Sequence, residues 1–284
     1  MRASKRSRSI LCATAVLTTA LLAACGSSTS HGGSSMPGMD MTEPMPSGNG
    51  LSATDKGFTF APISTTLKEA ASAGFTFRIL GADGKPVTAF QDDQTKQMHF
   101  YLIRTDLSGF QHVHPVRAAD GTWTAPLASA SAGSYRAYAS FITAGADGKA
   151  VALTLSTPVT APGAATTVAL PPASATTTVD GYTLTVSGSP MTGMEMPLKV
   201  TVAKDGKPVT DLQPYLATYA HLSAFHAGDL AFAHLHPQGA AATDTGGPDL
   251  TFDATFPGSG DWRVFLQFQT GGNLHTAAIT VKIG

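Results

Sequence analysis

From Gly57 to the C-terminus, apolar and polar positions alternate in short runs. Phe75, Phe77 and Ile79 are separated by Thr76 and Arg78, and Tyr135, Ala137, Ala139 and Phe141 keep the same period of two. Successive side chains of a strand point to opposite faces, so the alternation predicts half-buried strands. Turn residues such as Asp83-Gly84 break the runs, and no stretch holds a sustained helical period. Short strands with frequent turns predict an all-β fold of antiparallel, immunoglobulin-like sandwich type. Two stretches lack the alternation. Residues 25–54, rich in Gly, Ser, Met and Pro, read as a disordered, flexible tether, and the Pro/Ala/Thr-rich residues 161–175 as a linker.

The chain repeats itself. Asp83-Gly84-Lys85-Pro86-Val87-Thr88 returns as Asp205-Gly206-Lys207-Pro208-Val209-Thr210, an offset of 122, and Gly133-Ser134-Tyr135-Arg136 matches Gly260-Asp261-Trp262-Arg263 at offset 127. Each copy is about a hundred residues, the size of one immunoglobulin-like sandwich. The predicted organisation is therefore a leader over 1–24, the tether over 25–54, one sandwich over 55–160, the linker, and a second sandwich over 176–284.

The N-terminus carries a different signal. Arg2, Lys5, Arg6 and Arg8 precede an apolar stretch, Ile10 to Ala24, that is short for a membrane span and reads as a signal peptide. Leu22-Ala23-Ala24-Cys25-Gly26 then has the form of a lipobox, which predicts lipidation at Cys25 and a location on the outer face of the cytoplasmic membrane. The other cysteine, Cys12, lies inside the leader, so the mature body has neither a disulfide nor a thiolate ligand. Removing the four positive residues of the leader from a chain of net charge −1 leaves −5, with only 13% charged residues overall, which argues against nucleic acid as a partner.

Candidate chemistry rests on histidine. At offset 122 His99, His112, His114 and Pro115 return as His221, His234, His236 and Pro237. Windows 99–115 and 221–237 agree at five of seventeen positions, among them all three histidines. Residues i and i+2 of a strand share a face, so His112 and His114 project together, as do His234 and His236. If residues paired between the two strands have numbers summing to an odd value, His99 joins their face. Three neutral imidazoles at such spacing suit copper or zinc, copper being favoured by the general affinity order. The competing expectation is a cluster of histidines hydrogen-bonded inside the protein with no metal. The spacing leaves open whether two triplets make two sites or one shared site. His226 and His275 do not repeat; His275 could add a fourth donor in the second copy.

Met36, Met39 and Met41 have the spacing Met-x-x-Met-x-Met, with Met45 following and His31 preceding; Met191, Met194 and Met196 repeat it. Thioethers are soft donors suited to Cu(I), which makes the tether a candidate soft-metal segment. Met191–Met196, between two strands, are expected to fill a core edge instead.

The segments QHVHP with GTW, and DLQPYLATYAHL with GDLAFAHLHP, resemble a group of secreted bacterial proteins of two sandwich domains. Strand-borne histidines and a Met-rich start are also similar in style to periplasmic copper-resistance and copper-carrier proteins. That resemblance implies a tethered copper-binding protein for buffering, carriage or resistance, with the membrane and other copper-handling envelope proteins as partners. The His-x-His of superoxide dismutases, the cysteine of multicopper oxidases and the glutamate of cupins have no matching context. No Ser-His-Asp or paired-carboxylate arrangement stands out, and nothing in the sequence suggests turnover. The alternative is a structural or partner-binding envelope lipoprotein.

Overall fold

The computed structural model describes residues 48–67, 74–242 and 244–284, all within the compact unit Glu43–Gly284. Among the described residues there are eighteen strands and no helix. The first sandwich has β1 (Thr54–Asp55), β2 (Phe58–Pro62), β3 (Phe75–Leu80), β4 (His99–Arg104), β5 (Gln111–Val113), β6 (Val116–Arg117), β7 (Trp123–Ala125), β8 (Gly133–Ala144) and β9 (Ala150–Ala161). They form two antiparallel sheets, β1-β2-β3-β7-β6 and β5-β4-β8-β9.

The second sandwich has β10 (Thr176–Val179), β11 (Tyr182–Ser187), β12 (Glu195–Lys204), β13 (Lys207–Pro208), β14 (Ala220–His226), β15 (Phe232–Pro237), β16 (Asp249–Thr255), β17 (Gly260–Thr270) and β18 (Asn273–Ile283). Here the sheet is continuous, β10-β11-β12-β16-β15-β14-β17-β18, with β13 beside β12. Its β15 pairs with β14 through Leu222–Leu235 and with β16 through Leu235–Ala254, so one strand passes from one face of the sandwich to the other. In the first copy the corresponding stretch is interrupted at His114 and Pro115 and divides into β5 and β6.

Each sandwich has its own core. Phe60, Phe77, Phe100 and Trp123 anchor the first, with Phe60 and Phe77 edge-to-face at 5.0 Å. Val202, Leu235, Phe252 and Trp262 anchor the second. A third apolar cluster lies between them, where Tyr101, Ile103 and Tyr138 of the first copy meet Phe225, Phe232 and Phe265 of the second. Consequently all six residues of β4 are buried: Phe100 and Leu102 face their own core, and Tyr101 and Ile103 face the neighbouring sandwich. Full burial of each such side chain contributes about 1.5–3 kcal/mol, so the third cluster is a strong apolar join and not a loose contact. Gly50 crosses this seam at φ +68°, and a Cβ there would meet Phe232 Cβ at 3.0 Å and Thr154 Cγ2 at 3.2 Å, which explains the absence of a side chain.

Candidate metal centre

The register of β4 and β5 brings the first triplet together. Phe100 pairs with Val113 and Tyr101 with His112, so paired numbers sum to 213, an odd value, and His99, Tyr101, His112 and His114 share one face. That face is turned away from the first core toward the second sandwich. There β14 alternates in the same way: Ala220, Leu222 and Ala224 enter the second core, while His221 and Phe225 face back. Four imidazoles meet across the seam. His112 stacks on His221 at 4.6 Å, His99 lies parallel to His221 at 5.5 Å, and His114 meets His99 and His112 edge-on at 5.1 and 4.8 Å. One ring nitrogen from each of His99, His112 and His221 lies within 4.8 Å of the others, and all three residues are buried. The two copies of the repeat thus contribute to one shared cluster.

Hydrogen bonds fix which nitrogens face inward. His99 Nε2–H donates to the main-chain oxygen of Asp93 at 3.0 Å; that oxygen can only accept, which leaves Nδ1 as a lone pair. His112 Nδ1–H donates to Gln267 Oε1 at 2.6 Å, with the Gln267 amide nitrogen turned to Thr276 Oγ1 at 3.5 Å. His221 Nδ1–H donates to Gln94 Oε1 at 3.0 Å, and its Nε2 accepts from the Tyr101 hydroxyl at 3.0 Å. With the outer nitrogens so occupied, His99 Nδ1 and His112 Nε2 face each other at 3.1 Å. With the Gln267 amide in this orientation the two acceptors need a cation between them, a proton or a metal ion; with the amide reversed, His112 Nε2–H donates to His99 Nδ1.

Burial disfavours the proton. It lowers the pKa of His99 below the ordinary 6.5 against the opposing pull of Asp93. His114 is lowered to about 3, chiefly by burial and then by His99 and Lys96. Its Nε2 is buried with no hydrogen-bond partner among the described residues. Burial likewise raises the pKa of Tyr101, so the phenol stays a neutral donor.

Between the ordinary 6.5 and the depressed values, the unfolded chain binds protons that the folded chain refuses. Metal-free stability is therefore complete above pH 6.5 and declines as pH falls through that window. The slope is at most about 1.4 kcal/mol per pH unit for each group, less for the partly exposed His114. Urea midpoints measured at pH 7.5 and 5.0 should show this decline, and His114→Ala should flatten it; a flat profile in the parent chain contradicts the placement.

The other expected site residues divide three ways. The side chains of His234 and His236 lie outside the described residues; their backbones sit on β15, opposite Ser223 and Asp253. Cys25, His31, Met36, Met39, Met41 and Met45 also lie outside the described residues. His275 supplies no fourth donor: its Nδ1 pairs with Asp180 at 2.8 Å and its Nε2 with Thr270 Oγ1 at 3.0 Å. His226 is held by Asp229 at 2.7 Å and by the Ser259 carbonyl at 3.1 Å. Met191 and Met194 do not fill a core edge, being 46% and 51% exposed in the turn before β12. Asp93, Gln94, Tyr101 and Gln267 were not legible as site residues, although Gln267 is a polar residue set within the apolar run Val264–Phe268.

These features define a two-domain antiparallel β-sandwich protein whose repeats face each other across a buried histidine cluster. Over residues 53–159, and again over 177–284, the chain matches the family described as Domain of unknown function (DUF8832), and it belongs to that family. No curated protein matches the chain. Among solved structures it is similar to the adhesin InvE of Yersinia pseudotuberculosis, at 13% identity and TM-score 0.23, covering 84% of this chain and 62% of that one. It is also similar to domains 4 and 5 of the S-layer protein SbsC, at 12% identity and TM-score 0.24, covering 80% and 96%. The chain spans less than two thirds of InvE.

Proposed function

We propose that this chain is a lipoprotein, anchored through Cys25 on the outer face of the cytoplasmic membrane, that binds copper for buffering, carriage or resistance. The carrying observation is the buried cluster itself, with His99 Nδ1 set 3.1 Å from His112 Nε2 and a nitrogen of His221 within 4.8 Å. With metal–nitrogen bonds of about 2.0–2.1 Å, the His99–His112 pair already has the spacing of two ligands, whereas His221 has to close in and give up the Tyr101 hydroxyl at its Nε2. Each outer N–H is already held by an oxygen, the orienting arrangement typical of metal-ligating imidazoles. A set of imidazoles without thiolate fits copper and zinc, and the affinity order places copper first.

The other reading is an envelope module with a purely structural histidine cluster. It requires the Gln267 amide to be reversed, so that His112 donates to His99 and no cation is needed. Titration of the mature chain with Cu(I), Cu(II) and Zn(II), followed by thermal melting, separates the two. Saturable binding with a raised melting temperature is expected, since an ion at a hundred times its Kd adds about 2.7 kcal/mol to stability. Absence of tight binding, or binding unchanged when alanine replaces His99, His112 and His221 together, rejects the copper reading.

A further inference from the structure

We infer that the two sandwiches build one metal centre per chain, not two, and that Gln94 and Gln267 act as positioning residues, each orienting a histidine of the opposite sandwich. This rests on the metal-binding reading. Gln94 of the first sandwich accepts from His221 of the second, and Gln267 of the second accepts from His112 of the first. Both of these hydrogen bonds cross the seam. The ligand geometry therefore exists only while the sandwiches are docked, and binding an ion favours the docked state by the same free energy.

The internal repeat shows why there is one such arrangement. Offset 122 places Leu216 at the position of Gln94. Both sit in tight two-residue turns with positive φ, Gln94 at 43° and Leu216 at 55°. The turns close alike, through Asp93–Lys96 hydrogen bonds of 2.8 and 2.9 Å and Tyr215–Thr218 bonds of 2.6 and 3.2 Å. The backbone is kept, but Leu216 has no acceptor to offer. Offset 127 places Ser140 at the position of Gln267. His99 stands opposite Ser140 in its sheet as His221 stands opposite Gln267. Ser140 is too short to cross the seam and its hydroxyl accepts from Thr154 at 3.1 Å. Tyr101 corresponds to Ser223 and is no part of this apparatus, since its hydroxyl holds the His221 Nε2 that an ion would take. The orienting apparatus is thus present once, divided between the domains, although the histidines are present twice.

The test uses the mature two-domain chain titrated with Cu(II), which the thioethers of the tether do not favour, and with Co(II) as a visible-spectrum probe of imidazole geometry. One equivalent is expected to bind tightly. Gln94→Met and Gln267→Met keep side-chain volume but remove the acceptor, and each should weaken binding by about 10- to 100-fold and shift the Co(II) bands. Gln94→Glu and Gln267→Glu keep an acceptor oxygen and should bind as tightly as the parent or better. Melting of the metal-free variants confirms that they fold. Two equivalents of similar affinity, or methionine variants that bind like the parent, overturn the shared centre and leave metal binding standing. A parent chain that binds no ion overturns both.

Discussion

Replacing His221 with alanine is expected to lower copper affinity by more than about 100-fold, although His99, His112 and His114 all remain in place. Loss of a mere orienting partner costs about 10- to 100-fold, and loss of a ligand should exceed that. His221 comes from the other sandwich, yet its Nε2 lies 3.0 Å from the Tyr101 hydroxyl and its ring stacks on His112 at 4.6 Å. The substitution would strand two groups of the first domain: the Tyr101 hydroxyl loses its acceptor and Gln94 Oε1 loses its donor. A buried hydroxyl so stranded costs about 1–3 kcal/mol, so the metal-free melting temperature should also fall. His226→Ala is the control on the same strand. His226 is occupied by Asp229 and Ser259 and should leave metal affinity unchanged. Equilibrium titration of both variants decides the matter: if His221→Ala retains the parent's affinity, the second sandwich contributes no ligand.

The strands, the two-domain organisation and the shared face of His112 and His114 could be read from the sequence through the repeat and a period of two, whereas the place of His99 hung on a parity the sequence left open. The odd sum of 213 in the β4–β5 register is the case of that condition that gathers His99, His112 and His114. The meeting of the two copies could not be read in the same way, since docking of whole sandwiches depends on twist and loop geometry that no local period encodes. A trace of it was present. Phe100–Ile103 is an unbroken apolar run, and a strand with no polar face is covered on both sides. A sandwich supplies one covering layer, so the run calls for a second, which proves to be the other repeat. Gln267 carries the complementary trace as a buried amide, 5% exposed, among apolar neighbours. A buried polar group needs a partner, and nothing local could show that the partner was His112, 155 positions away.

That second covering layer is also where a single substitution should do most damage to the fold. Phe225 is fully buried at the centre of the seam, 5.3 Å from the Tyr138 ring, 5.4 Å from Phe232 and 6.0 Å from Phe110. Phe225→Ala leaves a cavity among aromatic rings held by two separate sheets, and substitutions of this kind cost about 3–5 kcal/mol. Because each sandwich has its own core, the loss falls on docking before it falls on either fold. Melting is expected to be a single transition in the parent and to separate into two in the variant, and residues 162–175 between the domains should become easier to cleave with protease. Copper affinity should fall as well, since His221 shares the strand and the face of Phe225 and reaches its partners only when that face is seated. Restoring bulk with Phe225→Leu should recover most of the stability and most of the affinity together. If the alanine variant melts within about 1 kcal/mol of the parent in a single transition, the seam is not what holds the sandwiches together, and a metal site built across it loses its foundation.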